Sequence, residues 1–241
     1  MTNSRTLVLW RHGRTSYNNE ARFQGDLDPP LDEAGREQAR AAAKELAGIQ
    51  PVLLVSSDLS RAVQTAEELA PLAGLKANCD ARLREHNVGV WAGLTEHDVK
   101  ERFPLEYRAW RSGVYPRSWE PIEQVAARAF ACLEGALELL PAGGTAVVVS
   151  HGGTIRALVG RMLGLCVTAW WSLPPMGNCR WASLVEGTER WALTAYNCGA
   201  QRHTTADPQQ WSAEKCRENL EPNGGFELVP NAFEEVWKGE Q

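Results

Sequence analysis

The 241-residue chain has no surplus of positive charge: 25 Lys and Arg stand against 30 Asp and Glu, a formal net charge of −5. A nucleic-acid partner calls for a basic field, so that class is set aside. The negative balance is concentrated from Gly199 to Gln241, where four basic residues meet eight acidic ones. No run approaches the length of a membrane span. The first apolar run, Leu7–Trp10, is too short for the hydrophobic centre of a secretory leader. Cys79, Cys132, Cys166, Cys179, Cys198 and Cys216 form no C-x-x-C pair. They read as reduced thiols packed as small hydrophobes, and the expected compartment is the cytoplasm. The His-x-His and His-x-x-x-His spacings of many metal sites are also missing, so no metal and no cofactor are expected. There is no internal repeat and no low-complexity tract.

What is present suits one large α/β domain: 44% hydrophobic residues and 23% charged ones. Three short aliphatic runs, Leu7–Trp10, Val52–Ser56 and Thr145–Ser150, read as buried parallel strands because they do not alternate. Helical patterns follow each. Asp32–Ala47 carries Ala39, Ala42, Ala43 and Leu46 on one stripe, with Gly48 as its cap. Asp58 or Ser60 begins a helix that buries Ala62, Ala66, Leu69 and Ala73. Pro121 opens a third, with an apolar stripe from Ile122 to Leu140. A fourth runs from about Gly153, with Ile155, Leu158, Val159 and Met162 inward. Trp181–Glu186 and Arg190–Tyr196 alternate and read as an antiparallel hairpin at one sheet edge. Residues 95–121 hold two short helical pieces and a Pro/Trp-rich loop, read as a cap. The stretch 199–241 is an acidic extension, partly ordered or wrapped on the body through Trp211, Phe226, Phe233 and Trp237.

The chemistry sits beyond the strands. Arg11 and His12 follow the first, Arg61 lies in the first helical turn after the second, and His151-Gly152-Gly153 follows the third. In an open α/β sheet these positions share the edge at which ligands bind. Two guanidiniums, two imidazoles and a helix N-terminus suit a phosphate. The implied reaction is phosphoryl transfer with His12 as nucleophile. Arg11, Arg61 and His151 would hold the equatorial oxygens. Such a site supplies its own fixed charge without a metal. A leaving alkoxide needs a proton, and Glu85 is the candidate general acid.

The segments RHGRTSYN at 11–18, FQG at 23–25, SSDLSRAVQTA at 56–66, LREHNVGVWAGLT at 83–95 and SHGGTIRAL at 150–158 resemble the histidine phosphatase superfamily, also called phosphoglycerate mutase-like. They span most of residues 5–198 in that family's order. The resemblance implies a three-layer α/β/α sandwich around a mostly parallel sheet with a small helical cap. It also implies a metal-independent phosphomonoesterase acting on a small phosphorylated metabolite through phosphohistidine on His12, and a homodimer. By the same resemblance Asn18, Gln24 and the Gly152 amide are further ligand contacts. The pattern is nearest to actinobacterial glucosyl-3-phosphoglycerate phosphatases. Arg84-Glu85-His86-Asn87 departs from the Glu-Arg-x-Tyr-Gly of cofactor-dependent mutases, which favours hydrolysis.

Two features depart from the family. Arg14 stands where relatives usually carry Gln or Glu; it either meets a second anionic group of the substrate or faces solvent. The cap lacks the usual Gly-Glu-Ser before its long helix and has Arg117-Ser118-Trp119-Glu120-Pro121-Ile122-Glu123 instead. The rival readings are a mutase, a metal hydrolase using His12, His151, Asp58 and Glu85, and a phospho-ligand-binding module without turnover. A mere binder has no use for the acid. His86 and His97 read as solvated or locally bonded, His203 likewise, and Asp26 and Asp28 as turn formers before Pro29-Pro30.

Overall fold

A computed structural model describes residues 4–199. The acidic extension beyond Gly199 lies outside the described residues, and with it Cys216, His203 and the four extension aromatics. The elements run β1 (Thr6–Arg11), α1 (Ser16–Asn19), α2 (Glu33–Gly48), β2 (Leu53–Ser56), α3 (Ser60–Ala73), β3 (Asn78–Cys79), α4 (Glu96–Arg102) and α5 (Pro104–Arg111). There follow α6 (Ile122–Leu139), β4 (Thr145–Ser150), α7 (Gly152–Met162), β5 (Trp181–Glu186) and β6 (Trp191–Cys198). They build one six-stranded sheet in the order β3-β2-β4-β1-β5-β6. β1, β2, β3 and β4 pair in parallel, while β5 and β6 form an antiparallel edge.

Each central strand sends alternate residues to opposite faces, which makes the three layers. Leu7, Leu9, Ala146 and Val148 pack under α6 and α7, against Ala129, Leu133, Ile155 and Leu158. Val8, Trp10, Val147 and Val149 pack on the other side against α2 and α3, through Ala39, Ala43, Ala62 and Leu69. The three-layer sandwich that the resemblance implies is therefore present. A separate aromatic cluster, Trp91 and Trp119 with Phe23, Phe103 and Trp110, fills the cap region.

Local signals went astray at helix ends. Gly48 is the last helical residue and Ile49 the cap. Neither Asp58 nor Ser60 caps α3: Leu59 occupies that position without a side-chain bond. Both side groups are engaged elsewhere, Asp58 with Arg84 and the Ser60 hydroxyl with Asp28. Pro121 is the residue before α6 rather than its first. β6 starts at Trp191 and runs to Cys198, with register shifts against β5 between Trp181 and Ser183 and between Ser183 and Leu184. The two-residue β3 carried too little pattern to be expected.

Candidate active site

β1 and β4 lie side by side in register, Arg11 opposite Ser150, so the residues just past them emerge together. His12 and His151 stand with ring centres 5.1 Å apart. Both are buried, as is Arg61 at the start of α3. The RHG turn can bend so closely because two glycines face each other. A Cβ on Gly13 would come 2.5 Å from the Gly35 carbonyl oxygen, and one on Gly35 would come 2.0 Å from that of Arg14.

His12 is fixed by its neighbours. Its Nδ1 donates to the Gly13 carbonyl at 2.7 Å, which sets the tautomer and leaves Nε2 as the basic nitrogen. The Asn178 side-chain amide donates to the His12 carbonyl at 3.1 Å. Across the site His151 Nε2 shares a 2.9 Å hydrogen bond with Ser57 Oγ. Burial foremost, then the charge of Arg61, with Arg11 adding to it, holds both imidazoles well below the ordinary histidine value. Both rings are neutral at pH 7.

Arg61 is a buried cation held by carbonyls alone, donating to Leu27 at 2.6 Å and Gly25 at 3.0 Å. No described carboxylate lies within ion-pair reach of it. Burial lowers its pKa to about 10, so it stays charged at neutral pH. Its Nε, like His151 Nδ1, is buried without a hydrogen-bond partner among the described residues. A buried charge so placed is costly unless an anion completes it. Arg11 donates to the Met176 carbonyl.

Glu85 comes from the loop after a 3-10 turn at Ala81–Leu83 and sits on the first turn of α7. Its carboxylate accepts from the amides of Gly153 at 3.2 Å and Thr154 at 3.1 Å, and from its own neighbour His86 at 2.8 Å. A Cβ on Gly153 would stand 2.8 Å from Glu85 Oε1, so the second glycine of the HGG run gives the acid its place.

A cavity of about 330 Å³ opens at this edge, and His151, fully buried, is not among the residues that line it. Arg11, His12, Asn18, Gln24, Arg61, Glu85 and Gly152 all reach it. Thr15 Oγ1 donates to Gln24 at 3.1 Å and orients that side chain. Arg14 is not brought in. Its Nε pairs with Asp32 at 2.8 Å and its backbone is bound to the start of α2, so the pocket-mouth placement is not met. Trp110 and Trp119 line the cavity, while Trp91 is packed away inside the cap cluster. His86 is corrected as well: it is buried between Tyr115 and Trp119, with Nε2 donating to the Glu120 carbonyl.

Sequence reasoning missed Ser57, Asn178, Thr65 and Arg156. Thr65 accepts from the Gly13 amide at 3.0 Å and ties the RHG turn to α3. Arg156 lies in the same cavity with its guanidinium over Trp171, 5.0 Å from the ring centre. It is one helical turn beyond Gly152, a spacing that the HGG motif could have flagged. Among the described residues no group of three or more His, Cys, Asp or Glu is arranged to hold a metal ion.

Residues 7–199 match the family model of the histidine phosphatase superfamily (branch 1). The chain is 40% identical over 216 residues to the glucosyl-3-phosphoglycerate phosphatase of Mycolicibacterium vanbaalenii, covering 82% of this chain and 96% of the relative. Identity to the Mycobacterium tuberculosis protein of the same name is 40% over 215 residues, with the same coverage of both chains. A solved complex of mycobacterial glucosyl-3-phosphoglycerate phosphatase with VO3 superposes with a TM-score of 0.77 at 40% identity, covering 81% of this chain and 100% of that one.

Proposed function

The chain belongs to the histidine phosphatase superfamily and is a phosphoric monoester hydrolase, and we propose that it cleaves a sugar-bearing phosphoglycerate of the glucosyl-3-phosphoglycerate type. In this reading His12 Nε2 attacks phosphorus as the ester P–O bond breaks, and Glu85 gives its proton to the departing oxygen. Arg11, Arg61, His151 and the Gly152 amide hold the equatorial oxygens while charge redistributes. Water then attacks the phosphohistidine and passes a proton to Glu85. The P–N bond breaks, inorganic phosphate leaves, and both groups return to their starting states. Asn18 and Gln24 complete the contacts to the phosphate.

The observation that carries the mechanism is the pinned Nδ1 of His12, which leaves one neutral nitrogen beside a buried, anion-seeking Arg61. The substrate reading is supported by the rest of the cavity, where Arg22, Arg111 and Arg156 stand with Trp110, Tyr115 and Trp171. Arg156 lies about 6 Å along α7 from Gly152 at 1.5 Å per residue. A carboxylate four single bonds from phosphorus lies about 5 Å away, within that span. Indole faces suit a sugar ring. Arg14 has no part in this; its partner is Asp32.

The reading includes independence of metals, since two guanidiniums supply the fixed charge, and a cytoplasmic homodimer. No helix among the described residues is long and apolar enough to cross a membrane. The test is phosphate release across a panel of glucosyl-3-phosphoglycerate, 3-phosphoglycerate, phosphoserine and glucose phosphates, with and without chelator. The first should give the highest kcat/KM, unchanged by chelation. Preference for simple sugar phosphates, or transfer of phosphate between phosphoglycerate positions in place of release, would overturn it.

A further inference from the structure

Arg128 on α6 commits every hydrogen-bonding arm of its guanidinium to a single neighbourhood. Nη1 donates to the carbonyls of Arg82 at 2.7 Å and Arg84 at 2.8 Å, and Nη2 to that of Glu85 at 3.0 Å. Nε and Nη2 donate to the two carboxylate oxygens of Glu120, at 2.8 and 3.0 Å. The pair is only about one-fifth exposed, 23% for Arg128 and 21% for Glu120. Glu120 is itself tied to the same loop through its backbone, its amide donating to the Asn87 carbonyl at 2.9 Å and its carbonyl accepting from His86.

The loop carrying Glu85 is thus gripped from two sides. α7 holds the carboxylate through the amides of Gly153 and Thr154. Arg128 holds the backbone that aims it. Rotating the peptide between Arg84 and Glu85 would break the Nη1 bond to the Arg84 carbonyl, and rotating the next one would break the Nη2 bond to that of Glu85; either turn would swing the carboxylate away from the leaving oxygen. Errors of about 1 Å in such placement cost up to about 100-fold in rate. Only a planar five-donor fork can span three carbonyls and a carboxylate; an ammonium cannot.

We propose that Arg128 is a positioning residue for proton delivery by Glu85, with Glu120 orienting it and linking the acid to the base of the cap, where α6 begins. The inference rests on the reading of Glu85 as proton donor. It places specificity for alkyl esters partly in a residue that touches no substrate.

The experiment compares Arg128→Gln, Arg128→Lys and Glu120→Gln with Glu85→Gln on two substrates, 3-phosphoglycerate as an alkyl ester and p-nitrophenyl phosphate as an aryl ester. In the first step, which kcat/KM reports, only the alkyl leaving group needs the proton; the later hydrolysis step is common to both esters. Arg128→Gln should lower kcat/KM on the alkyl ester about 10-fold or more with KM within about 2-fold, and change kcat/KM on the aryl ester less than about 3-fold. Arg128→Lys should fall between wild type and Gln, and Glu120→Gln should show the same split more weakly. If Arg128→Gln does not fold, the Lys and Glu120 variants carry the comparison. The proposal is overturned if Glu85→Gln shows the split while the Arg128 and Glu120 variants slow both esters equally or neither. If Glu85→Gln itself shows no split, Glu85 is not the donor and the positioning role falls with that reading.

Discussion

The imidazoles of His12 and His151 face each other at 5.1 Å between ring centres, tilted by 57°, at the carboxyl ends of two adjacent parallel strands. Neither is charged at neutral pH, because burial and two neighbouring guanidiniums, Arg61 the stronger, oppose protonation. For His12 that is the state in which nitrogen can attack phosphorus. For the fold it means that two rings are held without protons that the unfolded chain would accept.

Stability should therefore depend on pH. The unfolded rings titrate near 6.5 and the folded ones well below it. Below pH 6.5 the unfolded chain binds more protons, so their contribution is fully present above that value and is lost as pH falls. The loss is at most about 1.4 kcal/mol per pH unit for each ring. Urea midpoints at pH 6.5 and 5.5 measure it. His12→Asn should show a shallower decline than wild type; identical declines would mean that the His12 ring titrates normally when folded.

Arg61 is a cation awaiting an anion. Inorganic phosphate at about 100 times its dissociation constant should raise stability by about 2.7 kcal/mol. Arg61→Met should abolish that increment together with turnover. Thermal melts with and without phosphate decide the matter, and a variant that still responds like wild type would exclude Arg61 from the cradle.

Arg14, by contrast, belongs to the surface. Its pair with Asp32 is 38% exposed on the Arg side, so solvent screens it. Arg14→Gln should cost less than about 1 kcal/mol and leave kcat/KM unchanged on carboxylate-bearing substrates. A marked rise in KM would return the residue to the pocket mouth.

Arg156 should behave in the opposite way. It has no ion-pair partner among the described residues and rests on Trp171 inside the cavity. Arg156→Leu is expected to raise KM for 3-phosphoglycerate about 10-fold or more, the worth of one charge-assisted contact. KM for ethyl phosphate, which lacks a carboxylate, should barely move. Equal effects on both would point to a disturbed α7 rather than a lost contact.

The site's skeleton was legible because its residues end strands. Leu7–Trp10 and Thr145–Ser150 are aliphatic without alternation, so the polar residues that follow had to emerge at one edge, and Arg61 followed from the helix after β2. Ser57, Thr65 and Asn178 were not legible, since each acts across the chain: Ser57 on His151, Thr65 on Gly13, Asn178 on His12. The sequence alone leaves Arg14 open between pocket mouth and solvent for the same reason, its partner Asp32 being set by the packing of the RHG turn on α2. His86 looked like a loop histidine because nothing nearby in sequence shows that Tyr115 and Trp119 enclose it. Asp58 read as a helix cap, yet its carboxylate is held by Arg84, a tertiary contact that no local pattern carries.

The most direct test traps the enzyme in turnover. Protein quenched with denaturant during hydrolysis of a 32P-labelled ester should carry label that survives alkali, is released by acid and maps to His12, and His12→Ala should carry none. Label that is absent under rapid quench, or found on another residue, would contradict covalent catalysis at this imidazole.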